Sequence, residues 1–384
     1  MKIASYNLEN LFERAKALNL DAWTTAAGED PSPWADGASI LANYAALNAV
    51  LHKAAYSAAD KGEIFDLLGK LGLKSSDESD YVILRQNRGH LLKRSPGKPV
   101  EVAAGGRDDW IGWLDLKREA VDEVATENTG RVIKAIGADV LAVIEAEDRT
   151  ALCRFNEQVL AGTAVGGTAY EHVMLVDGND ERGIDVGLFS KAGYPITAIC
   201  SHVDDRDGHG NRIFSRDCAQ YAIGTPGGTS ITLLVNHFKS KGYGNQAQSD
   251  AKRAAQAARV RAIYDALRAA GTDRIAVVGD FNDTPDRQPL ATLVANGTDL
   301  KDISAHPEFD NGGRPGTFGN GAKSNKIDYI LLSPALFACV TGGGIYRQGV
   351  WGGKNGTLFP HLPTITKASE AASDHAAIWA ELAL

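Results

Sequence analysis

The stretch VVGDFNDTPD, residues 277–286, changes character within a few positions. Thr272, Asp273 and Arg274 read as a turn, and Ile275, Ala276, Val277 and Val278 as a buried strand. The apolar run then stops on Asp280 and Asn282. Residues i and i+2 of an extended segment point to one face. The spacing therefore predicts that the Asp280 carboxylate and the Asn282 carboxamide share a pocket while Phe281 packs to the other side. An ionised Asp beside a phosphate can orient and deprotonate a water. Asn cannot take that proton, but it can donate to a phosphate oxygen or hold the base.

The same kind of ending recurs along the chain. Asn7 closes IASYN, Glu145 closes VLAVIE, and His237 closes ITLLVNH with Asn236 before it. Asp328 lies inside KIDYILL, and Asp374 and His375 open the last strand. One polar residue at one strand end is usually a turn former or a cap. Repeated at strand after strand, such residues can converge on a common edge of the fold and form one site.

The residue types then name the chemistry. Asn, Glu and Asp are hard oxygen donors, better suited to Mg²⁺, with Mn²⁺ or Ca²⁺ as alternatives, than to zinc. Glu145 is the leading metal-ligand candidate, followed by Asn7 and Asp374, with Glu9 also in reach. Glu147 lies two positions beyond Glu145, on the same face of an extended strand. Asp280 is the candidate base and His375 a phosphate donor when protonated. His237 could polarise the phosphate or protonate the leaving oxygen, and Asp328 is expected to orient His237.

Composition bounds this reading. The chain has 384 residues, 44% hydrophobic and 23% charged, enough for a sizeable core in a layered α/β domain. A net charge of −8 argues against a broad nucleic-acid-coating surface, though not against a local basic patch. Residues 85–98 supply such a patch, with five Lys/Arg and no acid. The four cysteines form no CxxC pair, which disfavours a structural zinc site. Cys200 and Cys218 could pair if they lie on neighbouring strands. The N-terminus lacks the apolar region of a signal peptide and no run is long enough to span a membrane, so the chain as written is expected to be soluble and cytoplasmic, or secreted if a leader has been removed.

Along the chain, residues 2–6 read as a strand and the Ala-rich 15–60 as helical. Residues 117–136 form an amphipathic helix ending at Gly137, and a helix is expected at 149–161. Short strands are expected at 171–176, 184–189, 195–201, 219–224 and 230–237. A long helix follows, with Ser249 as N-cap and Gly271 as its stop, and the last strand covers 375–382. The segment at about 15–125 reads as a long, mostly helical insertion in a single domain spanning 1–384.

In this order, SYNLEN, ADVLAVIEAED, RGIDVGLFS, VNHFKSK, GDFNDTP, KIDYILLS and SDHAAI resemble the endonuclease/exonuclease/phosphatase superfamily, with RGID closest to a bacterial branch. The resemblance covers the start of the chain and roughly 130–384. It implies a four-layer α/β sandwich of two packed mixed sheets flanked by helices, and hydrolysis of phosphodiesters or phosphomonoesters with a divalent metal, usually Mg²⁺. It implies Asn7, Glu145 and Asp374 at the metal, and His237, Asp280, Asn282, Asp328 and His375 in catalysis. Arg182 and Asp185 join as further site residues. The chain departs from the pattern in its insertion and in having Ile144 before Glu145.

Three functions compete. A nuclease acting on DNA, or second on RNA, would use Asn236, Lys239, Arg182 and Trp351 to hold substrate, since Lys and Arg position phosphates and Trp can stack on bases. A phosphatase or phosphodiesterase for phospholipids, phosphoinositides or small phosphoesters would use the same machinery. A non-catalytic binding module is disfavoured because the chemical parts are all present. No obligate protein partner is evident.

Overall fold

The computed structural model describes residues 1–11, 37–118, 122–180, 183–241, 245–295 and 297–384. The chain forms two compact units, Met1–Phe12 with Val121–Leu384, and Glu13–Ala120. It begins with strand β1 (Lys2–Leu11), longer than the alternation at 2–6 suggests.

The second unit follows. It contains helices α1 (Gly37–Leu51) and α2 (Ala58–Lys70), and strands β2 (Val82–Arg88), β3 (Leu92–Lys93), β4 (Glu101–Val102) and β5 (Ile111–Leu116). Ser57 and Asp60 form a reciprocal capping box that starts α2. β2 pairs antiparallel with β5. Leu47, Ile64, Leu68, Val82 and the fully buried Trp110 build a core of its own for this unit. Trp110 donates to Gln86 Oε1 at 3.1 Å, which satisfies its indole N–H in the interior. Their outward faces mix apolar and polar residues, with Ile83 and Arg85 on β2 and Trp113 and Asp115 on β5.

The chain returns to the first unit at α3 (Glu123–Ile136), capped by the Asp122 side chain and stopped by Gly137 in the left-handed region. Then come β6 (Val140–Ala146), α4 (Arg149–Arg154) running into a π-helical turn at Phe155–Leu160, β7 (His172–Val176), β8 (Asp185–Ser190), β9 (Ile196–Cys200), β10 (Ala219–Gly224) and β11 (Ser230–His237). Helix α5 (Gln246–Ala269) is capped by Asn245, which accepts from the N–H groups of Ala247 and Gln248. Ser249, the expected cap, is instead buried within the helix. The remaining strands are β12 (Ile275–Asp280), β13 (Lys301–Asp302), β14 (Phe309–Asp310), β15 (Asp328–Leu332), β16 (Val340–Tyr346) and β17 (Ala377–Leu382).

These strands form two mixed sheets, ordered β14-β16-β17-β1-β6-β8-β7 and β13-β15-β12-β11-β10-β9. Alternation along each strand makes the layers. Ile3, Ala142, Ile144, Val186, Leu233, Val235, Ala276, Val278 and Ile330 point between the sheets. Tyr6, Leu141 and Val143 face α3 and α4. Leu234, Val277, Phe281 and Tyr329 face α5. Helix, sheet, sheet and helix are thus the four layers of an α/β sandwich. β16, with its VTGGGIY sequence, carries no apolar alternation to read. Its glycines admit a close neighbour: a Cβ on Gly344 would sit 2.8 Å from Asp310 O of β14. The four cysteines are all free, because the β9–β10 register sets Cys200 opposite Gln220 rather than Cys218.

Candidate active site

The inward rows of the two sheets end in polar residues along one edge. β1 and β6 are parallel, as are β11 and β12, while β15 and β17 run antiparallel to their neighbours. The C-terminal ends of the first four therefore meet the starts of the last two. Asn7, His237 and Asp280 continue the rows that bury Ser5, Val235 and Val278, and Asp328 stands opposite Asp280 in the β12–β15 register. All four are almost fully buried.

Glu145 reaches the cluster by a different device. Strict alternation after Ile144 would turn it toward the helix layer. Instead the register shifts between Ile144 and Ala146, and Glu145 adopts φ 65°. A bulge of this kind re-aims a side chain. Among the described residues, the non-glycine positions with positive φ are Glu9, Glu145 and Asn282. Such backbone costs on the order of 1–3 kcal/mol per residue and persists where the surroundings hold it. Gly279 is needed beside them, since a Cβ there would lie 1.9 Å from Asn236 O.

The cluster is tightly joined. Asn7 Nδ2 donates to Glu145 Oε1 at 3.0 Å and to Asp280 Oδ2 at 3.4 Å. His237 Nε2 lies 3.6 Å from Glu145 Oε1 and 3.7 Å from Asp280 Oδ2. Asn282 grips the same carboxylate twice, by its N–H to Oδ1 at 2.8 Å and its Nδ2 to Oδ2 at 3.2 Å. The two side chains share a pocket as the spacing predicts, but through a tight turn at φ 52° rather than an extended strand. Phe281 packs to the other side, stacked between Phe238 and Tyr329.

Asp328 accepts from His375 Nδ1 at 2.9 Å. It therefore orients His375 and not His237, the reverse of the expectation, because β15 and the start of β17 bring those two together. His375 Nε2 is left facing Asp280 Oδ2 at 3.9 Å and Asp374 Oδ1 at 3.6 Å. Glu9 Oε2 accepts from the Asp374 N–H at 2.8 Å.

Electrostatics follow from crowding acids in a buried place. Burial, then the charge of Asp328, raises Asp280 to about 8. Burial, then the charge of Asp374, raises Glu9 to about 7. Asp374 is raised mainly by burial, against the pull of His375. Burial alone would lower His375, but the charges of Asp328 and Asp374 outweigh it and hold the imidazolium well above the usual range.

This donor set fits a divalent cation. Asp328 Oδ1 and Asp374 Oδ1 are buried without a hydrogen-bond partner among the described residues. Glu145, His237 and Asp280 offer ligand atoms within 4.8 Å of one another, as do Asp280, Asp328 and His375. Excess buried negative charge and mostly oxygen donors suit a hard ion. Glu145 is the glutamate in the cluster, while Glu147 lies beside Gly183.

Other candidates lie elsewhere. Asn236 points away from the site, into the α5 layer, and donates to Leu234 O at 2.9 Å. Trp351 is stacked on His361 within its own loop. Lys239 follows the site directly, with its N–H bonded to Gln256 Oε1 at 2.9 Å. Arg182 lies outside the described residues. Asp185 starts β8 on the same sheet edge, opposite Ala146, and is raised to about 7 mainly by burial. Sequence reading missed Arg216, a buried cation paired with Asp180 at 2.9 Å that reaches toward Phe238 O at 3.5 Å. Arg206, Arg212 and Arg216 all lie in the connection before β10, and nothing in the sequence singles out Arg216.

Two packed sheets with a metal-suited acid–histidine cluster at one edge define a class, the layered phosphoester hydrolases. A model of the endonuclease/exonuclease/phosphatase family matches residues 119–338, more than half of the chain, and the chain belongs to that family. It is thereby a hydrolase acting on phosphoester bonds. No curated protein matches it. Among solved structures it is similar to a family protein from Bacteroides thetaiotaomicron, at 15% identity over 67% of this chain and 88% of that one, TM-score 0.47. It is also similar to a mannosyl-6-phosphatase from the same organism, at 15% identity over 68% and 91%, TM-score 0.49. A third is the human Nocturnin catalytic domain, at 14% identity over 67% and 86%, TM-score 0.45.

Proposed function

We propose that the protein is a divalent-metal-dependent phosphodiesterase, a nuclease acting on DNA in preference to RNA, with Asp280 as the base. The observation that carries this reading is the setting of Asp280. Its carboxylate is oriented by two donors from Asn282 and faces two histidines. Asp280 takes a proton from water as the water oxygen bonds to phosphorus. The phosphorus–oxygen ester bond breaks on the opposite side, and the leaving oxygen gains a proton from His237. His375, held charged by Asp328, donates to a phosphate oxygen as negative charge builds there. Glu145, with Asn7, Asp374 and Glu9, would hold the cation, whose chemistry is to stabilise that charge. In this reading residues 1–384 act as one domain with the 15–125 segment as an insertion.

The preference for nucleic acid rests on Lys239, two residues after His237. A second reading, a phosphatase or diesterase for small or lipid phosphoesters, is favoured by the ion pairing of residues 85–98. Arg85 pairs with Asp115, Lys93 with Glu101 and Arg94 with Asp77, which offsets three of the five cations there. Supercoiled plasmid, single-stranded RNA, phosphatidylinositol phosphates and p-nitrophenyl phosphate, each with Mg²⁺ or EDTA, separate the two. Mg²⁺-dependent plasmid nicking supports the nuclease. Release of phosphate from the small or lipid esters, with plasmid and RNA left intact, overturns it.

A further inference from the structure

We propose that Arg253, in the second turn of α5, is a positioning residue that locks the loop after His237 to the loop carrying Asp280 and Asn282. The inference rests on the phosphoester-hydrolase reading of that site. Arg253 is fully buried although it bears a charge, and Asp283, its partner at 3.1 Å, is fully buried too. A buried pair of this kind is weak evidence for stability, because desolvation offsets the attraction, but it fixes geometry when every donor is used.

Arg253 spends its donors on three segments. Nε bonds Asp283, next after Asn282. Nη1 bonds Lys239 O at 3.0 Å, two residues after His237. Nη2 bonds Asp250 on its own helix. Gln256, one turn further along α5, accepts from Lys239 N–H at 2.9 Å.

The other end of Asp283 completes the lock. Its carbonyl accepts from Tyr329 O–H at 2.8 Å, and Tyr329 follows Asp328. Its second carboxylate oxygen takes Lys241 Nζ at 2.6 Å. Phe238, Phe281 and Tyr329 stack in a row with centroid spacings of 4.8 Å. Each is the chain neighbour of a site residue, namely His237, Asp280 and Asp328. The planar, forked guanidinium can join two loops at fixed angles, whereas a lysine at the same place is a single point of attachment. A shift of about 1 Å in a reacting group can cost on the order of 10²-fold in rate.

The test compares Arg253→Met and Arg253→Lys with Leu293→Ala, which removes a buried side chain from the same helix-facing layer at a position in neither loop. Full-length proteins are assayed with Mg²⁺ on both bis(p-nitrophenyl) phosphate and p-nitrophenyl phosphate, so that a missing diesterase activity is distinguished from a failed lock. The expected result is a kcat about 100-fold lower for Arg253→Met and about tenfold lower for Arg253→Lys, with KM within about threefold. Leu293→Ala, at equal loss of Tm, keeps kcat within about threefold. Hydrogen exchange, which needs no activity, is expected to quicken together at 238–241 and 281–284 in both Arg253 variants. If Arg253→Met does not fold, Arg253→Lys decides on the same criteria. A kcat loss matched by Leu293→Ala, or faster exchange in neither loop or in only one, overturns the proposal.

Discussion

Charge is concentrated in two places, the strand-end cluster and residues 85–98, and the two differ in what surrounds the charge. At the strand ends, Asp280, Asp328 and His375 are buried and acids outnumber cations, and the proton affinities of Asp280 and His375 are raised. In 85–98, three of the five cations, Arg85, Lys93 and Arg94, each have an acidic partner from another segment. Arg85 is 51% exposed beside Asp115, and Lys93 is 64% exposed beside Glu101. Exposed pairs contribute about 0–1 kcal/mol. Buried imbalance is what marks a site capable of chemistry. A run of like charge in sequence does not, because its partners arrive from other segments.

Several changes break or sharpen this contrast. The largest effect is expected from His375→Ala, which removes a phosphate donor. Its kcat on a diester should fall about 10²–10⁴-fold, with circular dichroism unchanged. Next is Gly279→Ala, which forces a Cβ against Asn236 O in a left-handed backbone. Urea unfolding should show a loss of about 3–5 kcal/mol.

Proton linkage gives a third test. In metal-free protein, Asp280 and Glu9 keep their protons up to about 8 and about 7. Unfolded, they release them near about 4. The folded chain therefore binds more protons than the unfolded chain between these values. Their contribution to stability is greatest at the acid end and is lost as pH rises through that window. His375, also raised, acts in the same sense. Tm in EDTA should fall from pH 5 to pH 8, and the gain in Tm on adding Mg²⁺ should grow over the same range. The smallest effect is expected from Arg85→Ala, a change in unfolding free energy of less than about 1 kcal/mol with kcat unaltered.

Much of the first unit was legible because its strands alternate and its polar residues stop them. Ser230–His237 and Ala219–Gly224 could be read to the residue. β16 was not, since glycines carry no pattern, and neither were β2 and β5, whose pairing is non-local. At the site, the residue types that gather at one sheet edge could be listed from strand ends, but their pairing could not. Asp328 lies 91 positions after His237 and 47 before His375, and only the antiparallel start of β17 decides between them. The inward turn of Glu145 depends on a bulge, which alternation does not foresee. Arg253 was invisible because one arginine among several on an Ala-rich helix announces nothing until its buried partner is known. No helix among the described residues is long and apolar enough to cross a membrane.

The central claim is that Asp280 is the base of a single phosphoester-cleaving site. The most direct measurement is kcat for Asp280→Asn against the unmodified protein, on the ester it cleaves with Mg²⁺ and with Tm recorded for both. Asn keeps the shape but cannot take a proton, and with one acceptor oxygen it keeps only one of the two bonds from Asn282. The account predicts a loss of about 10³-fold or more with the fold intact. Activity within about tenfold of the unmodified protein would contradict it.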